Sequence, residues 1–531
     1  GTAKINARTD QGGAGIGSGS DATGNTNITI SGGTIENAQG GSGGAGIGSG
    51  DGSTGQTTVT IKSGTIKNAT GGNTGDGIGG GCDSKNITVK IEGGTIEKAK
   101  GGDGYGSHDA GDGIHSDGEL TIPDKATIVS AIGGNGDSRN SSSNAGHGIY
   151  SGGKLTIKGD IGTAQGGKGK TTAGHGIYSK GDLNISDNAT ITNATGGAST
   201  DGYAGDGIHS DGKLTISGGT IGTAQGGTGK SGGAGIYSKD DLSIESGTIG
   251  SLGTDGKTPD TTTGALGGTS TAEAKGGNGI HSDGKISITS GNIRNAKGGN
   301  ATADYKSGGS GIYCGDALTI SGGTIGTAKG GDSTGKGIGG HGIYSKNNLT
   351  ISDSAAITSA KGGDSTAGIG GDGIRSDGSK FTISGSTTGT AQLYTIGTAQ
   401  GGNGKSGGKG IFGKTMEILA GTIIEKAIGG NSTGTGENDT GGAGISASES
   451  LAISGWIQQA TGGSANSGKA GDGIRSGKSF IISGGRIEQA TGGSAESGAG
   501  GSGIHGGESL AISGGDIHQA TGGSANSGNG G

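Results

Sequence analysis

The repeated phrase Gly-x-Gly-Ile is the sequence feature that most constrains what this chain can fold into. It occurs at sixteen positions, and its commonest spacing is 31 residues. A phrase that returns at such a period is typical of solenoid proteins, in which each repeat forms one small unit and stacks on its neighbours. The isoleucines of the phrase stand at 16, 47, 78, 114, 149, 177, 208, 236, 280, 312, 343, 374, 411, 445, 474 and 504.

Each repeat contains three short extended segments, as residues 205–227 show. The first covers 208–210, the second, 214–217, alternates apolar and polar side chains, and the third covers 220–224. Gly-Gly and Asp-Gly pairs, which are turn signals, separate them. The sequence therefore predicts an all-β fold, a single-chain parallel β-solenoid (β-helix) of about 16 three-strand coils of about 31 residues.

The composition requires a thin core that is repeated many times. Glycine supplies 142 of 531 residues and hydrophobic residues only 26%, too few to fill a wide globular core. With only two prolines the chain is not collagen-like. The alternation predicts that one set of side chains points inward, namely Ile208, Leu214, Ile216, Ile221 and Ala224, and that another points outward, namely Thr215, Ser217 and Thr220.

The spacing predicts one continuous solenoid over residues 1–531. It divides into a partial coil (1–11), main repeats with edge-loop insertions (12–444) and more uniform C-terminal coils (445–531). Most insertions follow the motif Ala-x-Gly-Gly, so we expect them to decorate one edge, where recognition is most readily placed. They lie at 103–111, 135–145 and 301–309, with the longest within 250–273, and a further duplication at 386–394 falls in a third strand.

A row of alternating charge follows the phrase, three residues after its isoleucine. Stacked coils lie about 4.8 Å apart, where like charges repel by roughly 1 kcal/mol in water. Alternation therefore favours the stacking and penalises a slip by one coil. The predicted charge ladder comprises Lys180, Asp211, Lys239, Asp283, Lys346, Asp377 and Lys414.

A row of rings stands one residue after the same isoleucine. Flat rings with polar tips suit contact with sugars, and rings in adjacent strands also pack well on one another. The row is a candidate glycan-contact surface, and structural packing is the alternative. Its tyrosines are Tyr150, Tyr178, Tyr237, Tyr313 and Tyr344.

Clustered carboxylates raise the question of catalysis, since polysaccharide-cleaving enzymes use such groups. Asp109, Asp112 and Asp117 lie close in sequence to His108 and His115. Three of these positions recur in a later coil as Asp206, His209 and Asp211. Because an active site is normally singular, the repetition favours a structural ladder. We expect no enzyme and no catalytic residue.

Metal binding is the second chemical alternative. His147 and His175 in adjacent coils could share an ion with Asp206, although a polar ladder explains the same spacing. We expect no metal and no cofactor. The two cysteines, Cys82 and Cys314, lie seven coils apart, roughly 34 Å, which is far beyond disulfide reach.

The net charge of −7 is mild and both signs are mixed along the chain. Without a basic stripe, nucleic acid is not an expected partner. No apolar run approaches the length of a membrane span.

Several phrases resemble the glycine-rich repeats of secreted bacterial surface proteins, which are parallel β-helix, adhesin-like or carbohydrate-binding-like proteins. The resemblance covers the whole chain and rests on GGAGIGSG (12–19 and 43–50), NITISGGTI (27–35) and LTISGGTI (214–221 and 318–325). It implies the solenoid fold and an extracellular or cell-surface location. Such motifs specify fold better than function.

We therefore expect an extracellular structural or adhesive protein, part of a fibre or long surface stalk. The sequence begins and ends at nearly the same phase of the repeat, so we expect either that flanking sequence is missing or that molecules associate with one another, head-to-tail or laterally. The first alternative is a monomeric module that binds surface glycans through the tyrosine row. A polysaccharide-processing enzyme comes third, and ice binding by the threonine rows is a minor alternative.

Overall fold

The computed structural model describes residues 4–272, 274–385 and 394–531. Their regular structure is entirely β, a parallel β-solenoid of about 17 turns of about 31 residues, which confirms the predicted fold class. Residues 386–393 of the predicted duplication lie outside the described residues. No helix of the described chain has the length and apolar character that a membrane crossing requires.

The chain divides into two compact units. Unit 1 comprises Gly1–Leu242, Gly247–Gly250 and Thr263–Gly268, and unit 2 comprises Ser243–Ser246, Ser251–Thr262 and Thr269–Gly531. Each unit is a stack of coils with a first, a second and a third strand. That the whole chain forms one continuous solenoid stays a prediction.

The strands of unit 1 follow the predicted three-part repeat. The first strands are Ile16–Gly17, Ile47–Gly48, Ile78–Gly79, Ile114–Ser116, Ile149–Ser151, Ile177–Ser179, Ile208–Ser210 and Ile236–Ser238. The second and third strands, joined in some coils, are Lys4–Arg8, Thr26–Gln39, Thr57–Ile66, Ala69–Thr70, Ile87–Ile91, Gly94–Ile96, Ala99–Lys100, Leu120–Ile122, Ala126–Ile132, Leu155–Ile157, Asp160–Gln165, Leu183–Ile185, Thr190–Thr195, Leu214–Gln225 and Gly264–Leu266. Leu242–Ile249 has residues in both units.

Unit 2 repeats the arrangement and adds a fourth strand near its C-terminus. Its first strands, two of them joined to the second, are Ile280–Ser282, Ile312–Cys314, Ile343–Ser345, Ile374–Ser376, Ile411–Ile418, Ile445–Ile453, Ile474–Ser476 and Ile504–Gly506. The second and third strands are Ile286–Ile288, Asn292–Lys297, Leu318–Ile320, Thr324–Lys329, Leu349–Ile351, Ala356–Lys361, Phe381–Ile383, Ile396–Gln400, Ile423–Ile428, Trp456–Thr461, Ser479–Thr491 and Ser509–Thr521. The fourth strands, Ala465–Ser467, Ala495–Ser497 and Ala525–Ser527, form a separate three-stranded sheet.

Identical positions of successive coils pair in register, which builds the core. Ile177 pairs with Ile149 in the coil before and Ile208 in the coil after. Every side chain predicted to point inward in this repeat is buried, and the three predicted to point outward are not. The sequence predicts separate second and third segments, but in this coil they form one strand, Leu214–Gln225. The reason is that residues on both sides of the glycine pair hydrogen-bond to the previous coil.

A row of fully buried serines ends the first strands, and the sequence pattern did not predict its burial. The hydroxyl oxygen of Ser179 lies 3.0 Å from the carbonyl oxygen of Gly153 and 2.9 Å from that of Asp182. A hydroxyl inside the core therefore satisfies the backbone of the turn that leads to the second strand. The row comprises Ser116, Ser151, Ser179, Ser210 and Ser238 in unit 1, and Ser282, Ser345, Ser376 and Ser476 in unit 2.

Two glycine segments of each coil, one after the third strand and one before the first, pack backbone against backbone. In unit 1 the N–H of Gly197 donates to the carbonyl of Gly174 (2.8 Å), and the N–H of Gly205 donates to that of Gly197 (2.9 Å). A Cβ on Gly197 would lie 1.8 Å from the oxygen of Gly167. We call the stack that these two glycine segments form along successive coils the glycine ladder. Most of these glycines are required by close approach and not by a turn.

The loops between the two glycine segments, the edge loops, vary from residues 42–43 in one coil to 135–145 in another. Residues 103–111, 135–145 and 301–309 each lie between a third strand and the next first strand. The insertion predicted within 250–273 does not lie wholly at this junction. Residues 250–262 interrupt the third strand, because Gly264–Leu266 resumes the pairing with Leu214–Gln225.

Candidate ligand-binding groove

In many coils the side chain of the residue two places before the isoleucine of the phrase accepts a hydrogen bond from the backbone of the next coil, and we call these side chains the acceptor row. The backbone N–H of His175 donates to Nδ1 of His147 (2.9 Å), and that of Asp206 donates to Nδ1 of His175 (2.8 Å). The backbone N–H of His147 donates in turn to a carboxylate oxygen of Asp112. Each histidine in the row must therefore keep Nδ1 unprotonated.

Burial favours the neutral form of these histidines. It lowers the pKa of His147 and holds the pKa of His175 well below its ordinary value. In unit 2 burial lowers the pKa of His341 to about 4, although the Asp372 carboxylate opposes the shift. The row is thus held by neutral rings at neutral pH.

Replacing His341 by asparagine should remove a pH dependence from the stability of unit 2. Between pH 6.5, the ordinary histidine pKa, and about pH 4, His341 binds a proton in the unfolded chain but not in the folded chain. The free energy of unfolding of the wild type should therefore fall by about 3 kcal/mol more than that of H341N across this window. Above pH 6.5 the two proteins should show the same pH dependence. Asparagine keeps the acceptor, since the N–H of Ser310 donates to Oδ1 of Asn278 (2.7 Å) in the same row. Denaturant unfolding at a series of pH values measures the difference, and parallel curves would contradict it.

A clamp of two carboxylates holds the basic residue of several coils. In unit 1, Nδ1 of His115 lies 2.7 Å from Asp112 and Nε2 lies 3.1 Å from Asp117. His209 makes the same pair of contacts with Asp206 and Asp211. In unit 2, Arg375 binds Asp372 and Asp377, both at 2.9 Å. Such recurrence agrees with a structural role, and the expectation that the chain is no enzyme stays a prediction.

The predicted tyrosines lie in the row where the spacing placed them. Tyr150 stacks on His115, with ring centroids 4.5 Å apart, and its other neighbour is Tyr178 at 5.4 Å. Tyr237 stacks on His209 (4.5 Å). Because the rings pack on their neighbours, they present edges and hydroxyls to solvent.

The same row in unit 2 pairs Tyr313 with Tyr344, with ring centroids 5.3 Å apart. The hydroxyl of Tyr344 donates to Asp377 (2.8 Å), as that of Tyr178 donates to Asp211 (2.6 Å) in unit 1. Both hydroxyls therefore reach the acidic residue of the following coil. Use of these rings for glycan contact stays a prediction.

The predicted charge ladder lies along the turn after the first strands. In unit 1, Nζ of Lys239 lies 3.8 Å from Asp211, and the backbone N–H of Lys180 donates to the serine of the preceding coil. The same five-step order recurs in unit 2. It reads Asp117, Gly152, Lys180, Asp211 and Lys239 in unit 1, and Asp283, Gly315, Lys346, Asp377 and Lys414 in unit 2. That the alternation stabilises the stack stays a prediction.

A groove of about 780 Å³ opens in unit 1 where the ring row begins. The coil before His115 has Gly79 at the ring position, and a Cβ there would lie 2.5 Å from a carboxylate oxygen of Asp76. The missing ring leaves space that the edge loop 103–110 borders. Polar groups face this space, among them Asp76, Cys82, Asp83, His108, Asp109, Asp112, His115, Asn144, His147, Tyr150, His175 and Tyr178.

The floor of the groove is a buried group of two carboxylates and one imidazole. Burial raises the pKa of Asp76 to about 7. Burial alone would lower the pKa of His115, but the carboxylates of Asp76, Asp112 and Asp117 outweigh it and hold that pKa well above the ordinary value. At neutral pH the imidazole is therefore a cation between acids.

Three groups of potential metal ligands occur among the described residues, all in unit 1, and two of them face the groove. They are Cys82–Asp83–His108, Asp76–Asp112–His115 and His175–Asp206–His209. The third shares His175 and Asp206 with the alternative considered from the sequence. Sequence reasoning missed the Cys82 group, because an edge loop, which follows no period, brings His108 to it.

Edge loops also carry exposed tyrosines outside the predicted row. Tyr105, in the loop that borders the groove, is 63% exposed, and Tyr203 is 71% exposed. The backbone of Tyr105 pairs with that of His108, a groove-lining residue, in a short antiparallel bridge. The sequence signal that could have identified these exposed tyrosines is a tyrosine next to glycine or aspartate inside an insertion.

No protein-family model matches the chain, and neither a curated protein nor a solved structure is similar to it. Any inference about function therefore rests on the repeat and the groove.

Proposed function

We propose that this protein is an extracellular structural and adhesive element, and that the groove of unit 1 is where it binds surface glycans. The observation that carries the proposal is the groove itself, an open polar cleft at the point where the ring row begins. The chain's resemblance to adhesin-like glycine-rich repeats is consistent with this role. The proposal involves no catalysis.

The groups around the groove suit a carbohydrate. Carboxylates and amides such as those of Asp109 and Asn144 hydrogen-bond sugar hydroxyls, and the two residues are already positioned, because the N–H of Asn144 donates to Asp109 (2.8 Å). Tyr105 offers an exposed ring in the loop that borders the groove, which the packed rings of the row do not. An exposed ring beside polar groups matches the two faces of a sugar.

The structural half of the proposal rests on the recurrence of identical contacts. Each coil repeats the same strand pairs and glycine hydrogen bonds with its neighbour, as solenoids do when they serve as extended supports. We include self-association, head-to-tail or lateral, in this role, which electron microscopy at increasing concentration checks. The cell surface is the proposed location.

Glycan-array binding of the purified chain tests the adhesive site. Tyr105→Ala should weaken the affinity for the strongest array ligand about fivefold, since an aromatic stacking contact contributes roughly 1 kcal/mol. Tyr305→Ala is the matched control, an edge-loop tyrosine of unit 2 that is 69% exposed, and it should leave binding unchanged. Equal loss in both variants would refute the groove as the site. Loss only in Tyr150→Phe or Tyr178→Phe would assign binding to the tyrosine row, and no glycan binding would leave the structural role alone.

A further inference from the structure

The turn after the strand Ile78–Gly79 and the edge loop 103–110 bring a thiol, an imidazole and a carboxylate together at one side of the groove. Cys82 and Asp83 lie in the turn, where Asp83 adopts a left-handed conformation (φ 53°). His108 lies in the edge loop, and its carbonyl accepts a hydrogen bond from the hydroxyl of Ser143 (2.8 Å). Two separate elements are thus fixed with their side chains converging.

We propose that Cys82, Asp83 and His108 form a binding site for a zinc-type divalent cation. Sγ of Cys82 lies 3.5 Å from Nδ1 of His108, and that nitrogen lies 3.6 Å from Oδ2 of Asp83. Ligands of a tetrahedral zinc ion with bonds of about 2.0–2.3 Å lie about 3.4–3.6 Å apart. The three donors therefore need little movement to bind one ion.

The donor types favour this class of cation. A thiolate with an imidazole suits zinc and similar transition metals, whereas calcium and magnesium prefer oxygen ligands alone. Three protein ligands leave the fourth position of a tetrahedron open, and here it faces the groove. A water molecule or a bound ligand would complete the coordination.

The site can supply the negative charge that such an ion needs. A metal ion binds the thiolate form of cysteine, and a dication between Cys82 and the carboxylate of Asp83 would stabilise that form.

The other two clusters are less suited, because backbone groups already use their donor atoms. In the groove floor, the N–H of Gly80 donates to Oδ2 of Asp76 (2.7 Å). In the third cluster, the N–H of Asp206 donates to Nδ1 of His175. An ion at either cluster would break contacts between strands, whereas the donors of the Cys82 cluster face one another. The inference stands on this geometry and does not depend on glycan binding.

Cobalt titration of the full-length, reduced, metal-free chain tests the site. Wild-type protein should bind one Co²⁺ with a thiolate-to-metal charge-transfer band, and Zn²⁺ should displace it. Cys82→Ser should abolish the band. His108→Ala should weaken binding at least about tenfold, since even the loss of an outer-shell partner costs about that much.

Cys314→Ser is the matched control, because Ser282 and Ser345 occupy the same position in the adjacent coils. It should keep the band and the affinity. A band that survives Cys82→Ser, or disappears with Cys314→Ser, would overturn the site, as would the absence of any band in the wild type. Circular dichroism of each variant establishes that the fold is retained.

Discussion

Replacing Gly197 by alanine is expected to destabilise the protein by about 4–5 kcal/mol, the upper range for a single substitution. The added Cβ would lie 1.8 Å from the carbonyl oxygen of Gly167 and 2.6 Å from its carbonyl carbon. Both atoms belong to the backbone, so no side chain can rotate away. Moving the chain would break the hydrogen bonds that join Gly197 to Gly174 and Gly205. The free energy of unfolding in urea measures the effect.

Gly118→Ala is the matched control for this prediction. A Cβ on Gly118 would meet nothing within 4 Å. Alanine there should leave stability unchanged or raise it by up to about 1 kcal/mol, because it restricts the unfolded chain. If the two alanine variants had equal stability, the glycine ladder would not be a close-packed layer.

Replacing Phe381 by alanine should cost about 3–5 kcal/mol, the range for emptying a buried aromatic site. Phe381 is fully buried in the second strand of its coil, between Leu349 and Met416 of the adjacent coils. A ring is larger than the aliphatic side chains usual at this position. The next coil has Gly413 in the row of buried serines, where a Cβ would lie 3.1 Å from Cδ1 of the ring.

This contact predicts that the phenylalanine and the glycine depend on each other. Gly413→Ser alone should cost about 1–3 kcal/mol by overpacking. Phe381→Leu alone should leave a small cavity. The double variant, which restores the usual pair of residues, should be more stable than the sum of the single changes implies, by at least about 0.5 kcal/mol. Chemical denaturation of the wild type, the two single variants and the double variant measures the four free energies of unfolding. Strictly additive changes would show that the two residues do not interact.

The fold could be predicted from the sequence because the repeat reports the same physical requirement many times. One alternating segment such as 214–217 is ambiguous, but its recurrence at a fixed distance from Gly-x-Gly-Ile leaves only stacked parallel strands. The inward positions of Ile208 and Ala224 follow from the same period. What the period does not encode is why a glycine is present, so the close backbone approach that requires the glycines of the ladder could not be predicted.

The groove could not be predicted, because it depends on departures from the repeat. The ring row begins only after Gly79, and the loop 103–110 has a length and conformation that no other coil specifies. Cys82 and His108 are separated in sequence and meet only through that loop. The clamp around His115 was visible as a repeated motif, yet its burial, which sets the protonation of Asp76, required the structure.

The edge loops leave the solenoid between two glycine segments that bond directly to each other. The coil closes at Gly227 and Gly233, where the N–H of the second donates to the carbonyl of the first (3.0 Å), and residues 228–232 lie outside that closure. Lengthening such a loop costs only about 0.6 kcal/mol for each doubling. The scaffold is therefore suited to carrying foreign peptides, with several grafts displayed side by side at the spacing of one coil.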